Sequence, residues 1–205
     1  MEIKPLKIGA NYLLIPTLIL YYRLKTRKWF VTIVVALLFF YLRDIFLFYG
    51  FPNYPNIVMS TFMIGLAIIY LLAITGFQKS EVHIVEWVSL SIMYLFLVFL
   101  FITIADLVPQ VISPYKYSAY TYLFLLTLLL AITFTGYLLK SHYASLWLML
   151  ASASLLVSEL SLFFKLYVVD DISVNMFFPL FHVITYYALV QHALHRRRSA
   201  VIPLV

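Results

Sequence analysis

Seven stretches of this sequence are nearly continuous apolar runs, each about as long as a lipid bilayer is thick. They cover residues 5–22, 29–49, 56–77, 84–107, 117–139, 143–167 and 174–195. A helix needs about 20 residues to cross the hydrocarbon core, and in lipid only helices and closed barrels satisfy their backbones. The runs are too long and too evenly apolar for barrel strands. We therefore predict an all-α, polytopic transmembrane bundle of about seven spans, with residues 1–205 forming one domain.

The composition supports a membrane location and excludes several other classes. The chain is 65% hydrophobic and 11% charged, whereas a soluble domain is about 45–50% apolar and about 25% charged. It has no cysteine, so neither a disulfide nor thiol catalysis is available. The net charge of +6 does not indicate a nucleic-acid partner, because the basic residues lie at the ends of the apolar runs. No small-x-small cleavage site follows the first run, which we interpret as a retained helix.

The distribution of basic residues predicts the orientation. Lysine and arginine concentrate on the cytoplasmic side of membrane proteins. The larger basic set comprises Arg23, Lys25, Arg27, Lys28, Lys79, Lys140, Arg196, Arg197 and Arg198, and the smaller comprises Lys4, Lys7 and Lys116. The tryptophans Trp29, Trp87 and Trp147 fall near the side of the larger set. We predict an outer N-terminus and an inner C-terminus, in the plasma (inner) membrane if the source is bacterial.

Ionisable residues occur inside three of the runs at a similar predicted depth. Asp44 and Arg43 lie in the outer part of the second run, Glu159 and Lys165 in that of the sixth, and His182 about two turns into the seventh. Ionisable groups within a membrane face the bundle interior or a water-filled cavity, and they mark functional sites. Two interpretations are open. The groups line a functional pocket, or they form a structural ion pair such as Arg43 with Glu159.

Arg43, Lys165 and a row of small residues in these runs each have a structural interpretation beside the functional one. Arg43 and Asp44 are adjacent and point about 100° apart on a helix, so Arg43 is expected along the helix flank, where it snorkels outward or pairs with a neighbour. Lys165 is near its helix end and is expected to snorkel. Small residues recur along the sixth run at Ala151, Ser154, Ser158 and Ser161, which is typical of a helix-packing face.

Four short motifs, in order, support a family resemblance. They are the sequence KPL at residues 4–6, ALLFFYLRD at 36–44, the pair Ser158 and Glu159, and YYALVQ at 186–191. The chain resembles the YhhN family of membrane proteins, to which lysoplasmalogenases belong. It departs from the family pattern by carrying Arg43 where the family has glycine, glutamate at 159 where it has aspartate, and no histidine between Gly65 and Tyr70. It also begins at the family's second helix.

The resemblance implies hydrolysis of the vinyl ether of a lysoplasmalogen, which gives a fatty aldehyde and a glycerophospho-alcohol. Vinyl ether hydrolysis proceeds through an oxocarbenium-like cation, and two carboxyls suit this chemistry as they suit glycoside hydrolysis. Glu159 is the deeper and more desolvated carboxyl, so we assign it as the general acid and Asp44 as the ionised partner, although the roles are exchangeable. The candidate substrate-binding residues are Arg43, Tyr70, Lys165, His182, Tyr187 and Gln191. The expected partner is a lysolipid or another single-chain lipid, with no cofactor and no metal.

Other functions remain as alternatives. The foremost is a non-enzymatic protein of the same fold that binds or senses lipid, which the replacement of glycine by Arg43 favours. A retinal protein needs a lysine in the middle of the last span, and residues 174–195 contain none. A transporter suits intramembrane charge, but the sequence has no pair of runs interrupted by glycine or proline of the kind that marks many carriers.

Overall fold

The computed structural model describes residues 4–48, 55–75, 83–111, 115–140, 142–168 and 172–199. These residues form seven α-helices and contain no β-strand. The helices are α1 (Lys4–Thr26), α2 (Val31–Phe48), α3 (Pro55–Ile74), α4 (Ile84–Val111), α5 (Lys116–Lys140), α6 (Tyr143–Tyr167) and α7 (Ile172–Ser199). Each predicted apolar run corresponds to one helix, so the all-helical prediction is confirmed. The helix ends lie within a few residues of the predicted ones.

The end of α1 lies four residues beyond the predicted boundary, as do the ends of α4 and α7. The sequence predicts a break from residue 23, but the helix continues to Thr26. It ends at Arg27, which has a φ of 54° and whose backbone N–H donates to the Arg23 carbonyl at 2.9 Å. A left-handed residue directly after the last turn is a common helix stop, although glycine usually occupies it. The break before α2 is therefore shorter than the charge pattern indicates.

Consecutive helices run antiparallel around a main apolar core, and a smaller apolar cluster includes Val108 and Ala119. The core includes Phe40, Phe62, Leu66, Leu126 and Tyr186, all nearly fully buried. Helix α1 packs against α2 and α7, and α4 packs chiefly against α5, so these two helices are peripheral. We call the end where α1 begins the N-terminal end of the bundle and the end where α7 finishes the C-terminal end.

Helices α6 and α7 form the most extensive helix pair. The small residues Ala151, Ser154, Ser158 and Ser161 of α6 are all buried, and the Ser158 hydroxyl donates to the Phe178 carbonyl of α7 at 3.2 Å. Small side chains allow membrane helices to approach closely. The predicted packing face on α6 is thus confirmed.

Four of the described helices are long and apolar enough to cross a membrane. These segments are Pro55–Ile74, Ile84–Val108, Lys116–Leu139 and Tyr143–Tyr167. Large apolar side chains also cover the outer surface, as on α4, where Leu95 is 71% and Phe99 is 67% exposed. Contiguous apolar surface on this scale is unusual for a soluble monomer. The fold is compatible with an integral membrane protein.

Gly65 allows α2 and α3 to approach closely, which gives a test of the packing. A Cβ at this position would lie 2.8 Å from Cε1 of the buried Phe40 ring. We expect Gly65→Val to lower the free energy of unfolding by about 1–3 kcal/mol, because overpacking forces side chains off their rotamers. The measurement is an unfolding titration in mixed detergent micelles.

Ala67→Val is the matched control, because Ala67 is exposed on the same helix. We expect it to change stability by less than about 0.5 kcal/mol. Combining Gly65→Val with Phe40→Leu should recover part of the loss. Equal effects of the two valine substitutions would contradict the described contact between α2 and α3.

Candidate functional site

A buried ion cluster lies toward the N-terminal end of the bundle and is centred on Arg43 of α2. Arg43 is 1% exposed. Its Nη1 donates to Asp44 Oδ1 at 2.9 Å, and its Nη2 donates to Oε2 of Glu159 on α6. One guanidinium therefore bridges two carboxyls that are far apart in sequence. The structural ion pair of Arg43 with Glu159, which the sequence leaves open, is present.

The contact between Arg43 and Asp44 differs from the sequence-based expectation. Adjacent helical residues point about 100° apart, and on that basis Arg43 was expected to lie along the helix flank. That separation applies to the Cα–Cβ directions. The long arginine side chain turns inward instead, so that its head group reaches the carboxyl of its neighbour.

Helix α7 holds the other oxygen of Asp44. His182 Nε2 donates to Asp44 Oδ2 at 2.9 Å, and the Tyr186 hydroxyl donates to the same oxygen at 2.8 Å. His182 and Tyr186 are four residues apart and share one face of the helix. Asp44 is thus fixed from two helices, and hydrogen bonds of this kind favour an ionised carboxylate.

Glu159 is held on only one of its two oxygens. It is 5% exposed, and its Oε2 accepts hydrogen bonds from Arg43 Nη2 and from the hydroxyl of Tyr122 on α5. Its Oε1 is buried without a hydrogen-bond partner among the described residues. Unpaired buried polar atoms are rare in native proteins, and each one needs an explanation.

Aromatic rings surround the cluster. The Arg43 guanidinium lies over the Phe62 ring of α3, with 5.3 Å between Cζ and the ring centroid. Phe62 stacks on Tyr122 at 4.4 Å, and His182 meets Tyr186 edge to face at 4.5 Å between centroids. A cation over an aromatic face is attracted by about 0.5–2 kcal/mol, more when it is desolvated. Phe62 thus adds α3 to the helices that contact the cluster.

A half-open cavity of about 90 Å³ borders the cluster on the α6 side. Its polar lining comes from Arg43, Tyr122, Glu159 and Tyr167, and the rest is apolar side chains of α2 to α6. Asp44 is not among the lining residues. The two carboxyls therefore lie on different sides of the guanidinium, and only Glu159 borders the cavity.

The charges of the cluster do not balance when both carboxyls are ionised. Arg43 supplies one positive charge, and Asp44 and Glu159 supply two negative ones. A neutral His182 leaves one negative charge in excess. Isolated buried charge is strongly disfavoured, so one additional proton or cation neutralises the cluster. The two places within it for a proton are His182 and Glu159.

The structure brings together four of the candidate residues and places the other four elsewhere. Arg43, Asp44, Glu159 and His182 form the cluster. The Tyr70 hydroxyl donates to the Leu125 carbonyl. Tyr187 is 43% exposed and packs on Trp147. Lys165 is exposed, and Gln191 is buried more than two turns from His182 toward the C-terminal end.

Two tyrosines of the cluster were not identified from the sequence. Tyr186 stands beside Tyr187, and its spacing of four from His182 is a signal that could have selected it. Tyr122 lies in an apolar helix rich in tyrosine, so no pattern distinguishes it. Its role depends on which face of α5 meets Glu159.

No protein-family model matches the chain, and neither the curated proteins nor the solved structures include a match.

Within the described ranges, no group of three or more His, Asp or Glu side chains could hold a metal ion.

The adjacent tyrosines of α7 allow a matched test of the Asp44 environment. Tyr186→Phe removes one hydroxyl that donates to Asp44, and we expect a loss of about 1.5–3 kcal/mol because the acceptor is charged. Tyr187→Phe removes an exposed hydroxyl and should change stability by less than about 0.5 kcal/mol. Unfolding titrations of the two variants measure the difference. Equal losses would contradict the assignment of Tyr186 to the cluster.

A double-mutant cycle tests the ion pair of Arg43 with Glu159. Arg43→Met leaves both carboxyls without their cation, and we expect a loss of about 3–5 kcal/mol. The double variant Arg43→Met with Glu159→Gln should lose less than the sum of the single losses, by about 0.5–3 kcal/mol. Lys165→Met is the control on the exposed part of α6, and its effect should add to that of Arg43→Met. Additivity of the Arg43 and Glu159 effects would exclude a direct interaction.

Proposed function

We propose that the chain is an integral membrane hydrolase that cleaves the vinyl ether bond of a lysoplasmalogen. The observation that carries this proposal is Glu159, which lines an apolar cavity and has one carboxyl oxygen without a partner among the described residues. The resemblance to the YhhN family, based on the four motifs, supports the same function.

The proposed topology has seven spans with the C-terminal end in the cytoplasm. Support comes from the basic side chains at that end, where Lys25, Arg27 and Lys28 are exposed, as the positive-inside rule requires. Trp29 and Trp87 are 54% and 60% exposed at the same end, where indole rings favour the interface. Lys79 lies outside the described residues. With this orientation the cavity opens in the outer leaflet.

The charge balance of the cluster supports Glu159 as the general acid. Asp44 accepts hydrogen bonds from Arg43, His182 and Tyr186, which favours its ionised form. His182 Nδ1 is buried without a partner among the described residues, so a second N–H on this ring would have no acceptor. We place the additional proton on Glu159, because Glu159 lines the cavity and can pass the proton to a substrate there, and this proton makes the cluster as a whole neutral.

The proposed reaction begins with transfer of this proton to the vinyl carbon. The π electrons of the double bond form the new C–H bond, and the adjacent carbon becomes an oxocarbenium ion. Loss of the proton restores the net negative charge of the cluster, which stabilises the cation. Glu159 then accepts a proton from the attacking water. The hemiacetal collapses to a fatty aldehyde and a glycerophospho-alcohol, and Asp44 acts through Arg43.

The cavity fits the hydrocarbon part of such a substrate. Its apolar walls, including Leu123, Leu126 and Phe163, suit an alkyl chain, and burial of each CH₂ contributes about 0.8 kcal/mol. The cavity volume of about 90 Å³ holds part of an alkyl chain. The remainder of a long alkyl chain lies outside the cavity, beyond its open side and among the lipids.

A second candidate function is lipid binding without catalysis. Arg43 pairs with both carboxyls, and an arginine in this position keeps a carboxyl ionised and unable to donate a proton. In that case the same cavity holds a lipid chain and the cluster is a structural support. Aldehyde formation distinguishes the two functions.

Incubation of the purified protein with a panel of lysolipids, with and without the vinyl ether, tests the proposal. We expect aldehyde release only from the vinyl ether lipids. Asp44→Asn and Glu159→Gln should each reduce the rate by a factor of about 10² or more, because each removes a group that the chemistry needs. Thermal unfolding in the same detergent checks that the variants are folded.

Glu86→Gln is the matched control, because Glu86 is in the first turn of α4 at the other end of the bundle. It should release aldehyde at the wild-type rate. Tight binding of lysolipids with no aldehyde from any of them would reject the hydrolase and favour the lipid-binding alternative.

A further inference from the structure

We propose that the cavity beside Glu159 binds single-chain amphiphiles that end in a primary amine, with the ammonium group paired to Glu159 Oε1. This ligand class differs from the lipid of the proposed reaction. The binding does not require turnover, so it stands or falls separately from the hydrolase proposal.

The first argument is the unpaired acceptor. Glu159 is 5% exposed, and Oε1 is buried with no partner among the described residues, while Oε2 is taken by Arg43 and Tyr122. A buried oxygen in this state favours a ligand that brings a donor. The terminal torsion of a glutamate is soft, so a small rotation turns Oε1 toward the cavity that the side chain borders.

The second argument is the charge. With both carboxyls ionised and His182 neutral, the cluster carries one negative charge in excess, and a bound ammonium cancels it. The guanidinium nitrogens Nη1 and Nη2 are directed at Asp44 Oδ1 and at the other oxygen of Glu159, so these two carboxyls offset its charge, whereas Nε has no partner among the described residues. When Glu159 is protonated, an incoming amine accepts that proton, and the products are an ammonium and a carboxylate.

The third argument is the shape and lining of the cavity. Helices α3 and α4 contribute only apolar side chains to it, among them Met59 and Ile104. Glu159 thus lines one side of a space that is otherwise largely apolar. A polar head of one nitrogen followed directly by an alkyl chain matches this arrangement. The cavity volume of about 90 Å³ favours a small head group over a bulky one.

The test uses dodecylamine, dodecanol and dodecyltrimethylammonium as probes with the full chain in detergent micelles. Binding is measured as the rise in the thermal unfolding midpoint with probe concentration. We expect dodecylamine to bind at least tenfold more tightly than the other two, because dodecanol has no charge and the trimethylammonium group has no N–H donor. Equal binding of dodecanol, or of the trimethylammonium probe, would overturn the proposal.

Two variants and a control localise the site. Glu159→Gln should weaken dodecylamine binding at least tenfold, and Glu86→Gln should leave it unchanged. Ala119→Phe fills the cavity from α5 without altering the cluster, so it should weaken binding even if Glu159→Gln does not fold. Wild-type affinity in Ala119→Phe, or in a folded Glu159→Gln, would show that the amine binds elsewhere and would reject the site.

Discussion

The buried guanidinium of Arg43 is the interaction on which the arrangement of the bundle depends. It pairs with Glu159 of α6 and lies over the Phe62 ring of α3. It also pairs with Asp44, which accepts a hydrogen bond from Tyr186 of α7. Tyr122 adds α5 through the same carboxylate. Apolar helices slide and rotate against one another at little cost in lipid, since the bilayer is as apolar as their surfaces. A directional charge network removes that freedom.

The network is asymmetric, and this asymmetry determines what each carboxyl can do. Asp44 accepts hydrogen bonds from Arg43, His182 and Tyr186, whereas Glu159 has one oxygen without a partner among the described residues and lines the cavity. One acid is therefore held by donors on both of its oxygens, and the other keeps an acceptor that no described residue uses. Two carboxyls of similar depth thus acquire different roles because their partners differ, which is how neighbouring acids are commonly distinguished in proteins.

Much of this fold could be predicted from the sequence, because length and hydropathy define each helix nearly by themselves. The proximity of Asp44, Glu159 and His182 could be predicted from their similar depth, because ionisable groups within a membrane face the interior of the bundle. The rotation of each helix about its own axis, which decides the side chains that face the interior, could not be predicted. The helices are apolar on all sides, so nothing indicated that Tyr186 and not Tyr187 faces inward, or that Tyr122 meets Glu159. The turn of Arg43 toward its neighbour depends on a side-chain conformation that spacing does not specify.

The pairing of Arg43 with the residue next to it has a consequence for the biogenesis of the protein. A lone arginine or aspartate at the centre of a helix costs roughly 2.5–3.5 kcal/mol on insertion. In α2 the two opposite charges are adjacent and in contact at 2.9 Å, so under the proposed seven-span topology this segment carries little net charge when it inserts, before α6 and α7 have been synthesised. When α6 packs against α2, Glu159 then pairs with the guanidinium of Arg43.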